Sequence, residues 1–153
     1  MLKRLFDITC SLVGIIFLLP VFLVIVLAII INSGFPIFYF QTRVGKNNRD
    51  FKLFKFRTMY VDADKKGLLT VGGRDPRVTP VGYYLRKFKL DELPQLFNVL
   101  FGSMSLVGPR PEVRKYVEMY NEDQKRVLEV KPGITDYASL EYINENEILA
   151  KSE

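Results

Sequence analysis

Histidine is absent from the 153 residues, and cysteine occurs once, at Cys10. Without imidazole there is no Ser-His-Asp or Cys-His catalysis and no metal site of the histidine kind. A lone cysteine inside an apolar run gives no disulfide framework, no zinc spacing and no thiol nucleophile, and it suits a reducing compartment. Chemistry must then rest on carboxylate, Lys, Arg, Tyr or hydroxyl groups, and a metal would be a hard cation held by oxygen, Mg²⁺ before Zn²⁺ or Cu²⁺. The length leaves room for one compact domain and not for a second.

Charge is missing for 24 residues from Ile8 to Ile31. That exceeds the roughly 20 residues needed to span hydrocarbon as a helix. It is longer than the core of a signal peptide, and no Ala-x-Ala-like cleavage site follows it. Pro20 interrupts the run, where a proline removes a backbone hydrogen bond and crowds the preceding turn. Cations flank both ends: Lys3 and Arg4 before, and Arg43, Lys46 and Arg49 after. Both flanks therefore carry the mark of the cytoplasmic side, which favours a re-entrant helix-break-helix over a kinked span, although proline is tolerated in spanning helices.

Residues 32–153 carry 20 cations and 16 anions, a basic balance suited to an anionic partner. Asn32, Ser33 and Gly34 break the helix, and Phe35–Phe40 is an aromatic stretch fitted to a water-lipid boundary. The alternation Phe54-Lys55-Phe56-Arg57 has the period of a strand. It places the two rings on one face and pairs Lys55 with Arg57 on the other, as a phosphate contact or as ordinary solvated cations. From Tyr60 to Val81 the chain reads as a surface loop. An apolar helix follows through Leu93, Leu96, Phe97 and Leu100, with Pro94 in its first turn and Gly102 as its stop. A second amphipathic helix is expected from about Glu112 to Glu129.

Only two pairs of carboxylates are adjacent in the sequence, Asp91-Glu92 and Glu122-Asp123. The second lies on the polar side of an amphipathic helix and reads as a solvated face. Asp91-Glu92 opens the apolar helix just after Arg86, Lys87 and Lys89, where the helix dipole and the cations favour ionised carboxylates. Such a pair can cap the helix, attack phosphorus or hold Mg²⁺. Downstream, Gly108-Pro109-Arg110-Pro111 holds one guanidinium between two prolines, either as a preorganised phosphate clamp or as a simple helix start.

These segments together resemble the bacterial sugar transferases, in the small monotopic class of polyprenyl-phosphate phosphoglycosyl transferases. The resemblance runs through Lys3-Arg4 with Phe6-Asp7, Pro20, Gln41-Thr42-Arg43-Val44-Gly45, Lys55-Phe56-Arg57-Thr58-Met59, Asp75-Pro76-Arg77-Val78-Thr79, Leu90-Asp91-Glu92-Leu93-Pro94-Gln95, the Pro-Arg-Pro motif and Lys131-Pro132-Gly133-Ile134-Thr135. It implies an α+β fold, with a re-entrant helix-break-helix anchor over residues 1–34, broken at Pro20, and a small, mostly helical cytoplasmic catalytic domain over 35–153 with a short β-hairpin or strand pair. It also implies transfer of a sugar 1-phosphate from a UDP-sugar to polyprenyl (undecaprenyl) phosphate with release of UMP, as the first membrane step of glycan assembly. Asp91 matches the nucleophile that forms a phosphosugar-aspartate intermediate, and Glu92, with Asp91, the Mg²⁺ site. Lys55, Arg57, Arg86, Arg110 and Pro111 match substrate-binding positions. The implied setting is the cytoplasmic face of the bacterial inner membrane, with membrane lipid around the anchor, a homodimer as one possible assembly and no nucleic acid. An inactive nucleotide-binding relative, or a membrane-tethered module for polyanions, is the alternative. After Thr135 the chain departs from the family pattern, with Asp136-Tyr137-Ala138-Ser139, which leaves sugar preference open.

Overall fold

The computed structural model describes residues 1–61, 63 and 75–136. Its fold is mixed: one long apolar N-terminal helix and a small domain containing short strands. The first helix, α1, spans Leu2–Ser33 and is closed by Gly34 at φ 69°. Pro20 lies within α1, so the expected division into two helices at that residue is not seen. The reason is visible in the packing. Ile15, Phe22, Ile25 and Ile29 are buried on both sides of the proline at helical spacing, and each buried side chain of this size contributes about 1.5–3 kcal/mol, which outweighs one lost hydrogen bond.

Two strands, β1 (Phe38–Val44) and β2 (Asp50–Phe56), form the expected hairpin. Its pleat sorts side chains by face. Phe38 pairs with Phe56 and Phe40 with Phe54 across the strands. These rings stack or meet edge to face, and Phe56 packs on Phe22 of α1. Tyr39, Gln41, Arg43, Leu53 and Lys55 alternate with them on the opposite face. Lys55 thus points away from the rings, as the alternation predicts.

Residues 62 and 64–74 of the expected loop lie outside the described residues. The loop nevertheless ends earlier than its composition suggests. Thr79 accepts a hydrogen bond from Gly82 N and caps α2, Pro80–Lys87, with Pro80 in its first turn. A 3₁₀ turn over Leu90–Glu92 leads to α3, Gln95–Phe101, which stops at Gly102 with φ 96° as expected.

A parallel pair, β3 (Ser105–Val107) with β4 (Gly133–Thr135), was not anticipated. Period-two patterning cannot declare strands of three residues. The helix expected over Glu112–Glu129 is instead α4 (Arg114–Val117), α5 (Glu122–Lys125) and a 3₁₀ turn (Arg126–Glu129). Asn121 and Gln124 form a reciprocal capping box that starts α5 anew and ends the continuity.

Candidate active site

Asp91 and Glu92 stand on the 3₁₀ turn, not in the first turn of an α-helix, and neither makes a capping bond to α3. Lys89 precedes them in the left-handed region, φ 56° and ψ 20°. A non-glycine residue there is uncommon and is held by its surroundings. The reversal turns the chain inward after α2, and Asp91 becomes buried.

The two carboxylates are poised oppositely. Burial raises the pKa of Asp91 above its usual 3.8, with Glu92 adding to the rise and Lys55 and Arg86 opposing it. For Glu92 burial also opposes ionisation, but Lys55 outweighs it through charge and a hydrogen bond, helped by Arg110 and Lys89, and the pKa falls below 4.5. The ion pair is short, Lys55 Nζ to Glu92 Oε1 at 2.8 Å, with side chains 18 % and 22 % exposed. The ionised state expected from helix dipole and cations therefore fits Glu92. At Asp91 desolvation wins.

An open cleft lies beside Glu92, lined by Lys55, Glu92, Arg110 and Pro111 together with Arg43, Leu53, Gln95, Gly133 and Ile134; Asp91 is not among its lining residues. Arg110 is exposed on its rim. Pro111, beneath, is buried. The loop holding them is fixed by its neighbours. Gly108 N donates to Thr135 O at 3.1 Å, Gly133 N to Pro109 O at 3.0 Å and Val44 N to Glu112 O at 2.9 Å. A β-carbon on Gly133 would overlap the backbone of Gly108, so glycine is required where the two segments cross.

Arg43 was absent from the expected site residues, yet it joins the hairpin to this loop. Its guanidinium donates to Gln41 Oε1 at 2.8 Å and to Pro111 O at 3.1 Å, and it lies 3.7 Å from Glu112. The signal was present, since Arg43 shares the strand parity of Lys55 across the hairpin.

Arg86 lies within electrostatic reach of Asp91 and also of Asp75. Asp75 is itself held at about 2 by its hydrogen bonds to Arg77. Arg57 is not brought to the cleft. It is buried, and its Nη2 donates at 2.7 Å to Ser33 O, Ser33 Oγ and Gly34 O, closing the C-terminus of α1. The strand ends at Phe56, so the alternation that paired Arg57 with Lys55 no longer applies. Pro20, in the middle of α1, takes no part in the cleft.

The bacterial sugar transferase model covers residues 1–152. The chain belongs to the bacterial sugar transferase family. It is an enzyme by that membership. It is 43 % identical over 80 % of its length to a putative undecaprenyl-phosphate N-acetylgalactosaminyl 1-phosphate transferase of Bacillus subtilis, covering 68 % of that protein. It is 40 % identical over 91 % of its length to a UDP-N-acetylgalactosamine-undecaprenyl-phosphate N-acetylgalactosaminephosphotransferase of Aeromonas hydrophila, covering 34 % of it. To the UDP-glucose:undecaprenyl-phosphate glucose-1-phosphate transferase of Escherichia coli it is 39 % identical over its full length, again covering 34 %. The chain thus spans about a third of the two longer relatives.

Proposed function

We propose that the chain transfers a sugar 1-phosphate from a UDP-sugar to polyprenyl phosphate in two steps through Asp91. The observation that carries this reading is the buried Asp91 next to Glu92, which lines a cleft that gathers Lys55, Arg43 and Arg110. A carboxylate can attack phosphorus and form an acyl phosphate, whereas the Lys55 amine beside it is engaged by Glu92 at 2.8 Å.

In the first step a carboxylate oxygen of Asp91 attacks the β-phosphorus of the donor. The bond from that phosphorus to the bridging oxygen breaks, and UMP leaves with the electron pair. An oxygen of polyprenyl phosphate then attacks the same phosphorus, and the Asp91 carboxylate departs. Burial, which raises the proton affinity of Asp91, also strips water from its ionised form and leaves it a stronger nucleophile. Among the described residues Arg110 has no hydrogen-bond or ion-pair partner, so its planar fork is available to phosphate oxygens. Lys55 supplies a second positive charge from the strand.

Two adjacent carboxylates suit Mg²⁺, which ordinarily keeps several waters and takes one or two carboxylates plus substrate phosphates. Among the described residues no group of three or more His, Cys, Asp or Glu could hold an ion without such help. Asp91 and Glu92 would hold it, and the ion would supply charge neutralisation on the diphosphate.

The anchor reading is a re-entrant one, on the cytoplasmic face of the bacterial inner membrane. α1 is long and apolar enough to cross a bilayer, but both its ends are bonded to the same polar domain. Near its start Asp7 accepts from Ser105 Oγ at 2.8 Å and Leu106 N at 3.2 Å; at its end Ser33 and Gly34 accept from Arg57. That one domain grips both ends supports their lying on one side of the bilayer.

The test is release of UMP from a panel of UDP-sugars with Mg²⁺ and polyprenyl phosphate, together with intact mass after a quench without the lipid acceptor. UMP release and a sugar-phosphate adduct on the wild type, lost in Asp91→Asn, are expected. UMP release without an adduct under rapid quench would favour direct transfer and remove the covalent step.

A further inference from the structure

Two cations, Arg4 and Lys131, meet near the start of α1, and Lys3 stands at the adjacent position on the helix. Arg4 donates to Val99 O and, at 2.8 Å, to Leu100 O, the last carbonyls of α3. Its Nη2 and the Nζ of Lys131 lie 3.1 and 3.6 Å from the point where a β-carbon on Gly102 would stand. Gly102, at φ 96°, makes the space that both occupy. Lys3 reaches Val107 O at 3.1 Å from the preceding position on α1.

Among the described residues the carboxylate that opposes this charge at Lys131 is Asp7, and its oxygens are already engaged by Ser105 and Leu106. Lys46 adds a further positive charge at longer range. The carbonyls of α3 satisfy Arg4 but not Lys131. Among the described residues Lys131 has no hydrogen-bond or ion-pair partner. Burial and the neighbouring Arg4 push its pKa down, which marks the pair as mutually repulsive in the absence of an anion.

The surroundings decide which anion fits. Leu2, Leu5, Phe6 and Phe101 are all more than half exposed around the cluster. Apolar side chains bordering uncompensated cations form the boundary at which acyl chains end and phosphates begin. A soluble phosphate would use the charges and leave these residues in water.

We propose that Lys131, Arg4 and Lys3 bind the phosphate of an anionic phospholipid, distinct from the nucleotide cleft at Glu92. The inference rests on the reading of α1 as lying in a bilayer. The bound headgroup would neutralise the Arg4-Lys131 pair and fix the N-terminal end of α1 at headgroup depth.

Native mass spectrometry of the full chain in detergent, offered equimolar phosphatidylglycerol and phosphatidylcholine, tests it. The wild type should retain phosphatidylglycerol selectively. Each cation near an anionic surface contributes on the order of fivefold in affinity, so Lys131→Gln should lower the selectivity about that much and Lys131→Glu roughly the square of it. Lys115→Gln, an exposed cation on α4, should change nothing. The proposal falls if the wild type shows no selectivity, if both Lys131 variants keep it, if Lys115→Gln reduces it equally, or if stoichiometric polyprenyl phosphate or millimolar inorganic phosphate displaces the lipid. Flotation of the same protein with phosphatidylcholine vesicles separates the two readings: flotation without lipid selectivity sinks this site alone, whereas failure to float sinks the membrane reading beneath it.

Discussion

Replacing Lys55 by methionine should expose how the acid pair is held. The change keeps most of the side-chain volume and removes one charge, leaving Glu92 in its partly buried place without its 2.8 Å partner. Breaking a fully buried pair costs about 3–5 kcal/mol. Here about a fifth of each side chain is exposed, so water recovers part of the loss and the expected cost is about 2 kcal/mol. Urea unfolding in detergent at neutral pH, followed by circular dichroism, measures it. Lys55→Met/Glu92→Gln removes both charges and should recover most of that cost, giving a positive coupling in a double-mutant cycle. The sign of the pH dependence follows from the depressed pKa of Glu92. Its stabilisation is fully present above the usual 4.5 and is lost as pH falls through the lower folded-state value, so the difference between wild type and Lys55→Met should vanish in that acid range. The reasoning fails if Lys55→Met costs no more than Lys52→Met, an exposed cation on the same strand, or if Glu92→Gln gives no rescue.

Asp91→Asn should abolish UMP release yet raise stability at neutral pH by about 1 kcal/mol. The raised pKa of Asp91 favours folding only while the acid is protonated, and that benefit is lost as pH rises through its folded value; a less stable variant at neutral pH would contradict the burial argument. Arg110→Lys should raise the KM for the UDP-sugar by roughly tenfold through loss of the bidentate fork, with an unchanged unfolding midpoint because the side chain is exposed. In a Cys10→Ala background, single cysteines at positions 3 and 46 should react with a membrane-impermeant maleimide from the same side, and reaction from opposite sides would leave a kinked span.

Much of the fold was legible where one physical signal acted alone. The charge-free run announced α1, and alternating rings announced the hairpin with Lys55 opposite its aromatic face. The failures came where packing or local capping outweighed pattern. Pro20 does not break α1 because buried residues on both sides of it continue one packed stripe. The helix expected over 112–129 is divided because Asn121 offers a cap that periodicity ignores. For Asp91 the sequence showed nearby cations but not the burial that overrides them, since desolvation depends on what folds over a residue. Arg57 illustrates the same limit: its charge suggested phosphate, while its position one residue past β2 turned it to the carbonyls of α1.

That use of Arg57 bears on how the site is placed. The hairpin presents rings to α1 on one face and Lys55 to Glu92 on the other, so one short element sets the distance from the long apolar helix to the acid pair. Asp7 at the start of α1 and Arg57 at its end prevent α1 from sliding along that face. An enzyme that meets a soluble nucleotide sugar and a lipid-borne phosphate at one carboxylate needs that carboxylate at a fixed depth. Charge on the cleft alone cannot provide this, because cations bind either substrate wherever they stand. On the proposed mechanism the polar bonds that hold the helix to the domain are therefore as much a condition of transfer as Asp91, although none of them touches the reacting atoms.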